Sequence, residues 1–132
     1  MLLGKQNDSV SALVRSARVE NIAELILFEL GFKSNLQGTK FLAEAIVRKY
    51  GTKVSSMCRQ LYPQIAEKFG TTGERVERCI RHAINVCYAS GNLQKVNEMT
   101  GCRIVGGYPP TNSEFISSVC TWIHLERACA NK

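Results

Sequence analysis

The sequence predicts an all-α domain of about six helices, with a helix-turn-helix near its centre. Apolar residues recur at helical spacing in several segments that end at glycines, and two T-x-x-E capping boxes mark helix starts. No segment alternates apolar and polar residues strongly enough to predict a strand. The 132 residues are 45% hydrophobic and 21% charged, which fits one globular domain with a buried core.

The first two helices are predicted in the N-terminal part of the chain. One covers residues 21–30 and stops at Gly31, and its apolar face comprises Ile22, Leu25, Ile26, Phe28 and Leu30. The other follows Gly38, has Thr39 as its N-cap and closes at Gly51. Its apolar residues at helical spacing are Phe41, Leu42, Ala45, Ile46 and Tyr50.

A short helix is predicted from Tyr62 to Phe69, after a further helical turn that residues 53–60 can form. Pro63 lies in its first turn, where the missing N–H costs nothing. Gly70 then ends the helix, because glycine readily adopts the left-handed conformation that closes one. These signals are typical of the first helix of a helix-turn-helix.

A longer helix is predicted to follow after a tight turn. Thr71 and Glu74 form a T-x-x-E capping box, so the helix begins near Thr72 and runs to Ala89. Gly73 inside its first turn loses some stability relative to alanine. One side of the helix is an apolar stripe that comprises Val76, Cys79, Ile80, Ala83, Val86 and Cys87.

The face opposite that stripe carries side chains that can read DNA. Arginine pairs bidentately with guanine, glutamate accepts from cytosine N4, and a helix N-terminus favours a nearby phosphate. The spacing therefore indicates a recognition helix for the major groove. The residues of this face and its flanks are Glu74, Arg75, Glu77, Arg78, Arg81, His82 and Asn85.

The same face has a simpler interpretation. The face contains two i,i+4 pairs of opposite charge, Glu74 with Arg78 and Glu77 with Arg81. Such ion pairs commonly stabilise an ordinary solvent-exposed helix. Charge favours the DNA interpretation, since residues 40–90 contain nine Lys and Arg against four Glu and so carry most of the chain's net charge of +6. A positive field of this kind attracts a polyanion.

The C-terminal part completes the predicted scaffold. Residues 93–99 form a brief helical turn, and residues 106–110 form a loop. Thr111 and Glu114 make the second capping box, which opens a last helix that ends near residues 127–129. Trp122 is interpreted as a core anchor, and His124 as structural or merely exposed. The apolar surface of this helix comprises Phe115, Val119, Trp122, Ile123 and Leu125.

Several functional classes receive no support from the sequence. No carboxylate cluster, Gly-rich phosphate loop or nucleophile–base pair indicates an enzyme, and no cofactor is expected. The six cysteines lack zinc-like spacing, and we interpret them as reduced small core residues rather than as metal ligands or disulfides. Since no export signal or membrane span is recognised, a cytoplasmic protein with no membrane partner is expected.

Four segments, LYPQIAEKF, TT-x-x-RVER, IRHAI and PTNSEF, closely resemble the DNA-binding effector domains of the stage-zero sporulation A family of response regulators. Weaker similarity extends the match over roughly residues 20–127. The resemblance implies an all-helical domain of about six helices, in which the segments 62–69 and 72–89 form the helix-turn-helix.

The resemblance also implies a target and a set of contacts. In this family the recognition helix enters the major groove of a TGTCGAA-type box, so Arg75, Glu77 and Arg78 are the expected base-reading residues. The expected backbone or flanking contacts are Lys68, Thr72, Glu74, Arg81, His82 and Asn85. The family works as dimers or tandem copies on adjacent boxes, and contact with an RNA polymerase sigma factor is expected around residues 92–101.

One departure from the family leaves regulation open. Its complete proteins carry a receiver domain with a phosphorylated aspartate, and only about 20 residues precede the matching region here. We interpret residues 1–19 as an N-terminal extension or linker remnant and residues 20–132 as the DNA-binding domain. The alternative function is a receiver-less interaction module that antagonises a full-length regulator.

Overall fold

The computed structural model describes residues 14–15, 17–51 and 57–130, and this part of the chain is all-α, as predicted. A π-helical turn, Met57–Leu61, leads directly into the third helix. The prediction of about six helices is confirmed. The α-helices are α1 Val19–Glu29, α2 Gln37–Gly51, α3 Tyr62–Phe69, α4 Gly73–Ala89, α5 Lys95–Thr100 and α6 Asn112–Ala130.

Helix α2 is the centre of the fold, because it packs against α1, α4 and α6 and also touches α3. Its buried side chains recur every three or four residues, as expected for a helix that packs on several neighbours. They are Phe41, Leu42, Ala45 and Ile46.

The backbones of α2 and α4 approach each other closely at Gly38. A β-carbon placed on Gly38 would lie 2.0 Å from the carbonyl oxygen of Cys79 and 3.0 Å from the β-carbon of Ala83. Only glycine fits at such a distance. The position of α4 on the scaffold therefore depends on the absence of a side chain in the first turn of α2.

Three expectations for the N-terminal half need correction. Helix α2 begins at Gln37, so Thr39 lies inside its first turn and is not the N-cap. The hydroxyl oxygen of Thr39 is buried and has no hydrogen-bond partner among the described residues. Helix α1 begins at Val19, and Phe28, predicted to belong to its apolar face, is 76% exposed. Of the helical turn predicted over residues 53–60, residues 53–56 lie outside the described residues.

The last helix begins as predicted. The hydroxyl oxygen of Thr111 accepts from the Glu114 N–H at 3.1 Å, and the Glu114 carboxylate accepts from the Thr111 N–H at 2.9 Å. This reciprocal pair is the predicted capping box. Trp122 is buried, as predicted, but Leu125 is 59% exposed and not part of the buried face.

Arg127 ties the first described residues to the end of α6. Its Nε donates to the carbonyl oxygen of Val14 at 3.1 Å, and its Nη2 donates to the carbonyl oxygen of Ala17. The guanidinium also lies over the ring of Tyr50, which stacks on His124 at a centroid distance of 4.1 Å. The segment before α1 is therefore anchored to the last helix.

The described cysteine side chains are all free thiols, but they are not all core residues. Burial raises the pKa of Cys87 to about 11 and that of Cys120 to about 12, so both are poor nucleophiles. Cys79 is half-buried, whereas Cys102 and Cys129 are exposed, which corrects the interpretation of these two as core residues. None of the helices in the described part is long and apolar enough to cross a membrane.

Candidate nucleic-acid interface

The turn between α3 and α4 is built around Gly70. This residue has φ 67° and ψ 41°, in the left-handed region, and its N–H bonds to the carbonyl oxygen of Ala66. The N–H of Thr71 donates to the same oxygen at 2.9 Å. Two bonds thus close α3 within two residues, as the sequence predicted for Gly70.

Thr72, not Thr71, is the N-cap of α4. Its backbone is extended, and its hydroxyl oxygen accepts from the Arg75 N–H at 3.2 Å. The predicted capping box between Thr71 and Glu74 is therefore wrong. The reason is that the N–H of Thr71 is used to close α3, so α4 begins one residue later, at Gly73.

Replacing Thr72 with alanine is expected to lower the free energy of unfolding by about 1 kcal/mol, since the first turn of α4 would lose its side-chain acceptor. Urea denaturation measures the change. Thr71→Ala is the matched control and should have a much smaller effect. An equal loss for both substitutions would contradict the assignment of the cap.

The inner face of α4 packs into the core largely as predicted. Its fully buried residues lie on one stripe, with Cys79 and Val86 at the edge and half-buried. Ile84 also belongs to the stripe, although the sequence analysis left it out. The buried residues are Val76, Ile80, Ala83, Ile84 and Cys87.

Asn112, at the start of α6, contacts one edge of α4, and Gly38 packs against the opposite edge. Its buried side-chain Nδ2 donates to the hydroxyl of Tyr62 in α3 and to the carbonyl oxygen of Glu77 in α4, both at 3.1 Å. One side chain thus joins three helices. Sequence reasoning missed this role, because a polar residue just after a capping threonine gives no sign of being buried.

The outer face of α4 is free, as the DNA interpretation requires. Arg75 and Arg78 are exposed, and among the described residues neither guanidinium has a hydrogen bond or an ion pair. The i,i+4 pair predicted between Glu74 and Arg78 is therefore not formed there. The exposed predicted site residues on this helix are Glu74, Arg75, Arg78, Arg81, His82 and Asn85.

Glu77 differs from the other predicted base-reading residues. Its carboxylate is half-buried and accepts from Nη1 of Arg81 at 2.7 Å, the other i,i+4 pair considered above. Its backbone oxygen is the one bonded by Asn112. A contact from the Glu77 carboxylate to cytosine would therefore share or replace the contact with Arg81.

A positively charged cleft of about 350 Å³ lies beside the contact between the start of α2 and α4. Its basic lining residues are Arg75, Arg78 and His82, and no described carboxylate lines it. The cleft lets an anion approach the edge of α4 without meeting a negative group. The other lining residues are Leu36, Gln37, Gly38 and Cys79.

Lys68 lies apart from the arginines, at the end of α3. Its ammonium pairs with Oε1 of Glu44 at 2.8 Å and is half-exposed, while Arg48 binds Oε2 of the same carboxylate at 2.7 Å. Burial alone would raise the pKa of Glu44, but these two cations outweigh it and hold that pKa below its ordinary value. Lys68 can contact phosphate only by sharing or leaving Glu44.

Comparison with known protein families matches residues 22–123 to the family described as sporulation initiation factor Spo0A C terminal. The match starts in α1 and ends in α6, so it includes α3, the turn at Gly70 and all of α4.

Proposed function

Because the chain belongs to the Spo0A C-terminal family of DNA-binding sporulation regulator domains, we propose that it reads a TGTCGAA-like box by laying α4 in the major groove. One observation carries this proposal. Arg75 and Arg78 project from the exposed face of α4 with no partner among the described residues, while Gly38 and Asn112 hold the helix from its two edges.

The arrangement supports different roles along the helix. Arg78 lies at the middle of the outer face, opposite the buried stripe, which supports a contact with a guanine edge. Arg75 and Glu77 lie on either side of it and would read neighbouring bases. The proposed backbone or flanking contacts are Lys68, Thr72, Glu74, Arg81, His82 and Asn85.

Partner proteins are part of the same proposal. Tandem copies on adjacent boxes are expected from the family, as is contact with a polymerase sigma factor through residues 92–101. The structure places α5 in that segment, and Lys95 and Glu98 are exposed on it. These two side chains are the first to replace in a test of sigma-factor contact.

The direct test is a titration of the chain with a TGTCGAA duplex and a scrambled duplex at two salt concentrations. Sequence reading predicts a clear ratio of affinities that persists at the higher salt, whereas polyanion attraction alone predicts similar affinities that fall together. Equal affinity for the two duplexes would contradict the proposed function and would leave the antagonist module as the better explanation.

Arg78→Ala is expected to weaken cognate binding by about 1 to 3 kcal/mol and to reduce the preference over scrambled DNA. The physical reason is the loss of a bidentate contact to one base. Arg103→Ala is the control, because it removes the same charge from an exposed residue outside α4. If Arg78→Ala weakened both duplexes equally, Arg78 would be a backbone contact instead.

A further inference from the structure

A second and larger groove lies between α1 and α2 and is closed at one end by α3. Its volume is about 670 Å³, and no residue of α4 lines it. The floor is apolar and includes Leu27, Ala43 and Val47. Phe28 and Phe69 also line it and are 76% and 37% exposed, so the apolar surface of the groove extends to solvent-facing aromatic rings.

The two walls of this groove carry opposite charges. Glu20 and Glu24 are exposed on the α1 wall, and Lys40 is exposed on the α2 wall. Among the described residues none of the three has a hydrogen bond or an ion pair. The α2 wall also contains Glu44, but its carboxylate is paired with Lys68 and Arg48. The groove therefore has an acidic wall on α1 and a basic wall on α2, and the charges of Glu20, Glu24 and Lys40 remain available to a second molecule.

We propose that this groove is a self-association face, on which two copies of the chain pair about a twofold axis in the absence of DNA. In such a pair the same patch meets itself, so residue i contacts residue j while j contacts i. Phe28 of each copy fills the groove of the other, and Glu24 of each copy meets Lys40 of the other.

The charge pattern is what identifies a second copy as the occupant. A groove for an acidic or a basic peptide would carry one sign of charge on its walls, whereas walls of opposite sign match the same groove turned by 180°. Phe28 supplies the aromatic anchor that a small interface needs at its centre. The proposal goes beyond the DNA-binding function, and this pairing leaves the arginines of α4 uncovered.

The first test is sedimentation velocity of the whole chain without DNA over a range of concentrations. We expect a reversible monomer–dimer equilibrium whose Kd rises at least about tenfold in Phe28→Ala. Because Phe28 is mostly exposed, this variant should keep its fold, which thermal melting checks. Leu125→Ala, which truncates an exposed residue on α6, should leave the Kd unchanged.

The second test exchanges charges across the interface. Glu24→Lys and Lys40→Glu should each weaken self-association, because like charges then face each other. An equimolar mixture of the two variants should associate more tightly than either alone, since both facing pairs in the mixed dimer again have opposite signs. A head-to-tail contact between the groove and another surface would not show this rescue.

Three results would overturn the proposal. The first is a chain that stays monomeric at every concentration, as expected if the groove binds another protein. The second is a dimer Kd that Phe28→Ala does not change. The third is a mixture of Glu24→Lys and Lys40→Glu that associates no more tightly than either variant alone. None of them depends on DNA, so the proposed function can fail or stand independently of this inference.

Discussion

Replacing Gly38 with alanine is expected to lower the free energy of unfolding by about 3 kcal/mol or more, the largest effect that we expect of a single methyl group in this protein. The added β-carbon would lie 2.0 Å from the carbonyl oxygen and 2.6 Å from the carbonyl carbon of Cys79. Since these are backbone atoms, no side chain can rotate away. Helix α4 would have to move away from α2, so we expect the affinity for DNA to fall together with the stability. Urea denaturation and the duplex titration measure the two losses.

Gly51→Ala is the matched control, because Gly51 ends the same helix and no described heavy atom lies within 4 Å of the place that a β-carbon would occupy there. This change should be neutral or slightly stabilising, by up to about 1 kcal/mol, as alanine is favoured over glycine in helices. If Gly38→Ala behaved in the same way, α2 and α4 could not be in backbone contact.

Asn112→Ala is expected to cost about 1 to 3 kcal/mol of stability, because a buried donor that serves two helices would be lost. The Glu77 carbonyl would keep its place in α4 without the bond from α6, so the helix would be held less firmly along one edge. We therefore also expect weaker binding to the cognate duplex. Denaturation of the variant and its affinity for the duplex test both expectations.

Ser113→Ala changes the exposed neighbour of Asn112 and should have little effect. A double-mutant cycle with Tyr62→Phe separates the two bonds of Asn112, since residues that share a hydrogen bond give non-additive losses. Strict additivity would show that Tyr62 and Asn112 do not interact, and an unchanged stability for Asn112→Ala would remove Asn112 from its bridging role.

Local signals in the sequence were sufficient to place the helix-turn-helix. Pro63 marked the first turn of α3, Gly70 marked its end, and the apolar stripe of α4 left Arg78 on the opposite face. Each of these inferences depends on residues within one or two helical turns, so the rest of the fold could not alter them. The capping box of Thr111 and Glu114 was predictable for the same reason.

The errors lie where a second structural element decides the outcome. Thr71 and Thr72 are the same residue type and therefore equally suitable N-caps, and the way α3 ends determines which of them caps α4. The absence of a side chain at Gly38 matters only because Cys79 is packed against it. Phe28 fits the apolar periodicity of α1, yet no other described element covers it. Which residues of α4 contact bases remains a prediction.

The hydrogen bonds from Arg127 to the carbonyl oxygens of Val14 and Ala17 couple the stability of the two ends of the described chain. Fraying of the final turns of α6 would release the leading segment, and loss of that segment would uncover the guanidinium. Amide protons at both extremities should therefore exchange with solvent together, as a single cooperative opening unit rather than as two independent ends.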